Sequence, residues 1–336
     1  MEFDRKGPEG GLEIYSFINN GKALLECKVH LRKTMMEEWP AEAAGSSYVG
    51  NREGYLDIRV WDREGREVLI CHHAIWQDEP ARGLLLHPHL WQGTEDPYLY
   101  RIQVSLLEKK DCIVDVLETT FALRTFREVS GKGWFLNNRL FTIKPVEYAL
   151  PSNTVHDASR RMRIGRDLKL IREMGANTIC PIEGKIDREL YELCDELGLL
   201  LWWRDDDRKN SDSSDAEIAD TGQVGIPRFY GTADSLLALQ SRFLTERYYS
   251  YKACWSKEPF VYISMESLRL DRSGNAEVMV YSNQKKAALY VEGILFEFRA
   301  DGPDFFFRDI PVKRLPMLLT AEAGECSMSI TAYPFT

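Results

Sequence analysis

Residues 161–203, RMRIGRDLKLIREMGANTICPIEGKIDRELYELCDELGLLLWW, decide how the chain is read. Met162, Ile164, Leu168, Ile171 and Met174 recur at near-helical spacing, and Gly175 follows where a helix would stop. NTICPI then reads as a strand, DRELYELCDELG as a second helix and LLLWW as another strand. With RLFTIKPVEYAL (139–150) ahead of them, the order is strand, helix, strand, helix, strand. Such an order means consecutive βαβ units on a parallel sheet, because parallel neighbours need a crossover and a helix supplies it. After Trp203 the pattern stops. DDDRKNSDSSDAEIADTGQ (205–223) has the composition of a linker or flexible loop.

Working outward toward the N-terminus, residues 10–127 alternate in short runs broken by turn residues. YLDIRVWD precedes REGREVLICHHAIW, and YLYRIQVSLL precedes KKDCIVDVLETTFAL. Arg63–Gly65 and Lys109–Asp111 supply the polar reversals expected of hairpins in an immunoglobulin-like sandwich. Toward the C-terminus, residues 232–252 read as one amphipathic helix with Thr232 or Asp234 as its cap. Alternating strands resume from FVYIS (260–264) through AEVMVYSN and AALYVEG, enough for a second small sandwich.

Composition narrows the function. A chain of 336 residues, 44% hydrophobic, buries a sizeable core in two or three domains. Lys and Arg number 43 against 52 Asp and Glu, a net charge of -9 that repels phosphate backbones and anionic membranes. Neither nucleic acid nor a membrane is an expected partner. The start MEFDRKGPEG has no basic and apolar leader pattern, so a cytoplasmic location is expected. Seven cysteines, Cys27, Cys71, Cys112, Cys180, Cys194, Cys254 and Cys326, are scattered and never spaced CxxC; buried free thiols are the reading, with no metal site and no cofactor. His87 and His89 flank Pro88, and a strand would set them on one face like metal ligands, but no Cys or carboxylate cluster accompanies them.

Four motifs in order carry a resemblance. HPHLWQGTEDPYLYRIQVSLL, followed by DVLETTFALRTFREVSGKGWFLNNRLFTIKPV, resembles the sandwich-to-barrel join of glycoside hydrolase family 2, the β-galactosidase-like glycosidases. Trp91, Pro97, Leu99 and Tyr100, then Asp115 and Phe121–Arg124, fill the family's Trp, Pro-x-Leu-Tyr, Asp and Phe-Gly-Phe-Arg places. Phe135, Leu136 and Asn137 match its Phe-x-Leu-Asn-Gly hairpin. DLKLIREMGANTI and YELCDELGLLLWW resemble the first two helices and the second and third strands of its (β/α)8 barrel. RYYSYKACWSKEPFVYIS resembles the exit from the last barrel helix, and Tyr281, Ser282 and Asn283 open a C-terminal sandwich pattern.

The resemblance implies a glycosidase, whose reaction needs two carboxyl groups flanking the bond, about 5–5.5 Å apart for retention. In the family these are glutamates on the fourth and seventh barrel strands. Here only a few dozen residues separate the third strand from what resembles the last helix, and four or five βα units cannot fit there, since one βαβ unit takes about 30 residues or more. Where the family has Gly-Val-Asn-Arg-His after its first strand, this chain has Pro145, Val146, Glu147, Tyr148 and Ala149. Its second-strand Arg and His align with Cys180 and Glu183, and its third-strand Asp-Glu with Trp203 and Arg204.

The architecture expected is therefore multidomain β and α/β: an immunoglobulin-like β-sandwich (1–130), a reduced TIM-barrel-like α/β segment (131–258) and a C-terminal immunoglobulin-like β-sandwich (259–336). The functional expectation is a family 2-like protein of carbohydrate metabolism, a pseudoenzyme that at most binds carbohydrate or a partner. Two alternatives stay open: an active glycosidase that has recruited Glu147, Glu183 and Asp205 at the strand ends as new carboxylates, and a scaffold with no sugar role. Tyr148, Trp202, Trp203 and Arg204 are the candidate substrate-binding residues. A homodimer covering the open edge of the partial barrel is expected as well.

Overall fold

The computed structural model describes residues 2–4, 10–31, 54–75, 79–108, 112–151, 157–182, 188–202, 244–300 and 302–333. The chain divides into two compact units: Met1–Thr142 with Ile186–Gly198 and Asp205–Gly225, and Ile143–Lys185 with Leu199–Arg204 and Ile226–Thr336.

The first unit is a β-sandwich followed by a hairpin. β1 (Leu12–Asn19), β2 (Lys22–Val29) and β5 (Ala81–Leu86) form one antiparallel sheet. β3 (Gly54–Trp61), β4 (Glu67–Ala74), β6 (Tyr100–Glu108) and β7 (Ile113–Phe121) form the other, in the order β4-β3-β6-β7. Strand periodicity explains the core: Leu56, Ile58 and Val60 alternate into it from β3, and Ile102, Val104 and Leu106 from β6. The reversal at Arg63–Gly65 is where the residues place it. Asp62 closes it, accepting the Arg66 backbone N–H on Oδ1 at 2.8 Å, while Gly65 takes φ +79°. Lys109–Asp111 lies outside the described residues.

β8 (Phe126–Val129), β9 (Gly133–Leu136) and β10 (Arg139–Leu140) make a small antiparallel sheet. Its second turn is the pair Asn137 and Asn138 at φ 48° and 67°, the left-handed pair that a two-residue hairpin loop requires. The run RLFTIKPVEYAL is thus not one strand, since its first two residues belong to this hairpin.

The second unit begins with β11 (Pro145–Tyr148), α1 (Asp157–Glu173), β12 (Thr178–Pro181) and, after α2 (Arg188–Leu197), β13 (Leu200–Leu201). β11-β12-β13 is a parallel sheet, as the βαβ reading requires. Ile164, Leu168, Ile171 and Met174 are fully buried, but Met162 is 70% exposed. Two residues along a helix is about 200° around it, so Met162 cannot share the face of Ile164. Gly175 ends the helix at φ +94°, and a Cβ there would lie 2.5 Å from the Trp255 carbonyl carbon.

The single helix expected over 232–252 is corrected. α3 is Glu246–Trp255, and Leu244 and Thr245 ahead of it are not helical. Thr245, at φ -78° and ψ 164°, is its N-cap, and Glu246 puts an acid in the first turn, where the helix dipole favours one. Positions 232 and 234 lie outside the described residues. The other end of α3 is anchored within the unit by Lys144, whose Nζ donates to the Trp255 carbonyl at 2.8 Å.

The C-terminal sandwich sets β14 (Val261–Ile263), β15 (Arg269–Leu270), β16 (Ala276–Ser282) and β19 (Asp304–Ile310) in one sheet. β17 (Ala287–Val291), β18 (Ile294–Arg299), β20 (Met317–Ala323) and β21 (Cys326–Ala332) form the other, in the order β18-β17-β20-β21. Val278, Val280, Leu289, Phe305, Phe307 and Leu319 fill its core. Asn283 ties the entry to it, donating from Nδ2 to the carbonyls of Ser256 and Glu258 at 3.1 and 2.7 Å.

Candidate functional site

Register decides which side chains meet at the end of the parallel sheet. Glu147 pairs with Cys180, and Ile179 with Leu201. Trp202 extends the last strand by donating its N–H to the Ile179 carbonyl at 2.8 Å. In-register residues of parallel strands point to the same face, and neighbours along a strand to opposite faces. Glu147, Cys180 and Trp202 therefore form one row across the C-terminal end of the sheet, and Val146, Ile179 and Leu201 face the other way. This row is the candidate site, since parallel α/β sheets put their chemistry at the carboxyl ends of strands.

Tyr148 belongs to the opposite face. It is fully buried, and its hydroxyl donates to Oδ2 of the buried Asp167 on α1 at 3.3 Å. Arg166 holds the other Asp167 oxygen at 3.0 Å. The hydroxyl is thus used within the sheet-to-helix layer. Trp202 is 8% exposed and Cys180 6%. Glu183, Trp203, Arg204 and Asp205 lie outside the described residues.

The histidine and cysteine readings resolve individually. His87 has φ 51°, so Pro88 is not flanked by strand residues and the paired-ligand geometry does not form. His89 stacks on Tyr98 at 4.0 Å and holds Asp96 Oδ2 at 2.6 Å from Nε2. Among the described residues no three His, Cys, Asp or Glu side chains are grouped to hold a metal ion. The cysteines are free, but the expectation that they are buried holds only for Cys27, Cys180 and Cys194; Cys112 and Cys254 are exposed. Cys112 comes directly before β7, and Cys254 lies in the last turn of α3, where a small apolar residue need not face the core.

Sequence reasoning missed a buried ionic cluster in the first unit. Arg124, the last residue of the Phe121–Arg124 run, reaches α2 and contacts Asp195 Oδ1 at 2.6 Å. The Arg124 guanidinium lies 4.6 Å from the centre of the Trp91 ring, and the Trp91 indole N–H donates to the Asp195 carbonyl at 2.9 Å. Asn137 completes the join by donating from Nδ2 to the Trp91 carbonyl at 2.7 Å. Burial lifts the Asp195 carboxyl above its ordinary range, and the direct contact with Arg124 opposes that rise. The motif residues Trp91, Arg124 and Asn137 thus have structural work here. The signal available was the apolar face of α2 interrupted by an aspartate.

Comparisons place the chain among known proteins. The family Glycosyl hydrolases family 2 matches residues 48–124. A β-glucuronidase of Bacteroides fragilis is 31% identical over 186 residues, covering 52% of this chain and 26% of that protein. A β-galactosidase of Bacteroides ovatus is 31% identical over 147 residues, 42% of this chain and 17% of its own length. The chain therefore spans well under two thirds of these relatives. Among solved structures, an FMN-binding β-glucuronidase from Faecalibacterium prausnitzii L2-6 superposes with a TM-score of 0.73 at 16% identity, covering 99% of this chain and 75% of that one. A β-glycosidase from Bacteroides vulgatus gives 0.68 at 10% identity over 98% of this chain and 65% of its own. At these identities the superpositions speak for the fold.

Proposed function

We propose that this relative of the family 2 glycosyl hydrolases is a catalytically degenerate member that keeps, at most, carbohydrate or partner binding. The row Glu147, Cys180, Trp202 is the observation that carries the reading. Among the described residues it supplies one carboxyl group, whereas hydrolysis with retention needs two about 5–5.5 Å apart. The chain length between β13 and α3 supports it: only residues 202–245 connect them, too few for the four or five further βα units of a complete barrel when a single βαβ unit takes about 30 residues or more. In this reading the barrel is truncated, and residues 131–258 form a reduced domain between sandwiches at 1–130 and 259–336.

Purified protein incubated with aryl β-glucuronides, β-galactosides and β-mannosides tests the proposal. No turnover above background is expected. Turnover that vanishes in Glu147→Gln overturns it in favour of an active glycosidase with recruited carboxylates, for which Glu183 and Asp205 are the second-group candidates. A glycan array with Trp202, Trp203 and Arg204 variants then separates sugar binding from a scaffold role.

The same reading includes a homodimer. The described parallel sheet has two open edges, β11 and β13, and unpaired strand edges are normally covered. Two-fold pairing with a second copy is the commonest way to cover them. Light scattering at micromolar concentration should give twice the 38.8 kDa chain mass; a monomer mass removes the dimer.

A further inference from the structure

The first sandwich carries two thiols that its packing leaves unexplained. Cys27 on β2 is buried in the core between the two sheets. Cys71 on β4, in the facing sheet, is partly buried and packs against that same core cluster. Between them runs β5. Ala81 of β5 is the register partner of Cys27, and the next residue, Arg82, offers its carbonyl to the Cys71 Sγ at 3.3 Å. Gly83 explains how β4 comes so near, since a Cβ there would lie 2.5 Å from a Leu69 methyl. Leu69 and Cys71 thus project from β4 onto the core side of β5, the side on which Ala81 and Cys27 are buried. Burial raises the Cys27 thiol, and the neighbouring Cys71 adds to that rise.

We infer that Cys27 and Cys71 are a latent inter-sheet redox pair, which a small disulfide oxidant converts to a disulfide stapling β2 to β4. With oxidised glutathione, the half-exposed Cys71 thiolate attacks one glutathione sulfur. A Cys71–glutathione mixed disulfide forms and one glutathione thiolate leaves. Cys27 then gives up its proton and attacks the Cys71 sulfur, expelling the second glutathione. Two protein thiols are oxidised and one glutathione disulfide is reduced to two thiols. The order follows from access, because the first step needs a thiol that solvent reaches, and the second needs only its neighbour. Bridging joins the two sheets through residues 27 and 71 and restricts the unfolded chain, so the oxidised form should be the more heat-stable.

The test uses the full chain carrying Cys112→Ser and Cys254→Ser, which removes the two exposed thiols. After incubation with oxidised glutathione at pH 8, mass spectrometry should show a loss of two hydrogens, with a peptide linking Cys27 to Cys71 in the non-reducing digest. The melting temperature should rise by several degrees and return to its starting value with dithiothreitol. Alkylating Cys71 with iodoacetamide before oxidation should abolish the link, a control that does not depend on a Cys27 variant folding. A stable glutathione adduct on Cys71 without the link, a link through any other cysteine, or a link that survives Cys71 alkylation overturns the inference.

Discussion

Asp195 shows what a single buried side chain contributes. Both it and Arg124 are shielded from water, with side-chain exposures of 7% and 14%. Removing one partner strands the other's charge, which costs roughly 3–5 kcal/mol in buried pairs, while replacing both by apolar groups costs far less. Asp195→Ala should therefore lower the urea midpoint markedly, and Arg124→Met with Asp195→Leu should recover much of the loss. If Asp195→Ala is silent, the cluster does not hold α2 in place. Gly198, at φ +76°, is a steric counterpart, as a Cβ there would lie 2.3 Å from the Gly93 carbonyl oxygen. Buried ionisable groups also set the alkaline limit. Burial pushes the Cys27 thiol up to about 12 and the Cys194 thiol well above its ordinary value. Burial likewise pushes Tyr249 and Tyr281 up to about 12. Unfolded thiols and phenols ionise first, from about pH 8.5–10, so the native state holds more protons above that range. Stability should be unaffected by these groups below pH 8 and should fall between pH 9 and 12, by up to about 1.4 kcal/mol per pH unit for Cys27 alone. Urea midpoints at pH 7.5, 9 and 10.5 check the sign; a midpoint that rises with pH contradicts it.

Among elements, α1 and α3 show what the chain reveals of itself. The helical period and the stop at Gly175 place α1 in sequence, because Ile164, Leu168, Ile171 and Met174 lie on one stripe. Met162 is apolar like the stripe but lies at the wrong angle for it, and is exposed. Leu168→Ala should cost roughly 2–5 kcal/mol as a buried truncation, and Met162→Ala under about 0.5 kcal/mol. Equal effects in thermal melts would overturn the assignment of faces. For α3 the sequence reading placed the start at 232, with Thr232 or Asp234 as the cap. In the described backbone Thr245 before Glu246 is the cap, since a β-branched hydroxyl residue settles more readily outside a helix than in its interior. That both sandwiches are built of strands was legible from alternation, as at Leu56, Ile58 and Val60, whereas their order in the sheets was not. Row membership at the sheet end was not, because it depends on the register of Glu147 with Cys180, and register is a tertiary property.

For the molecule as a whole, ancestry and activity are read from different residues. The motifs that carry the family resemblance, Trp91, Arg124 and Asn137, are engaged in packing α2 and the hairpin onto the first sandwich, so retaining them says nothing about catalysis. The residues at the strand ends are where activity would be read, and the row there combines Glu147 with Cys180 and Trp202. Tyr148, a candidate for sugar contact by position, spends its hydroxyl on Asp167 instead. Tyr148→Phe should therefore cost about 1 kcal/mol of stability and leave any glycan binding unchanged; lost binding with an unchanged melt would reassign it to a sugar site. No described helix is long and apolar enough to cross a membrane.

The most direct test of catalytic degeneracy is a sensitive fluorescent assay with umbelliferyl β-glucuronide, β-galactoside and β-mannoside, run on the native protein and on Glu147→Gln at equal concentration. Equal background rates in both proteins on all three substrates are the predicted result. Release from any substrate by the native protein that is lost in Glu147→Gln would contradict it and make the row a working active site.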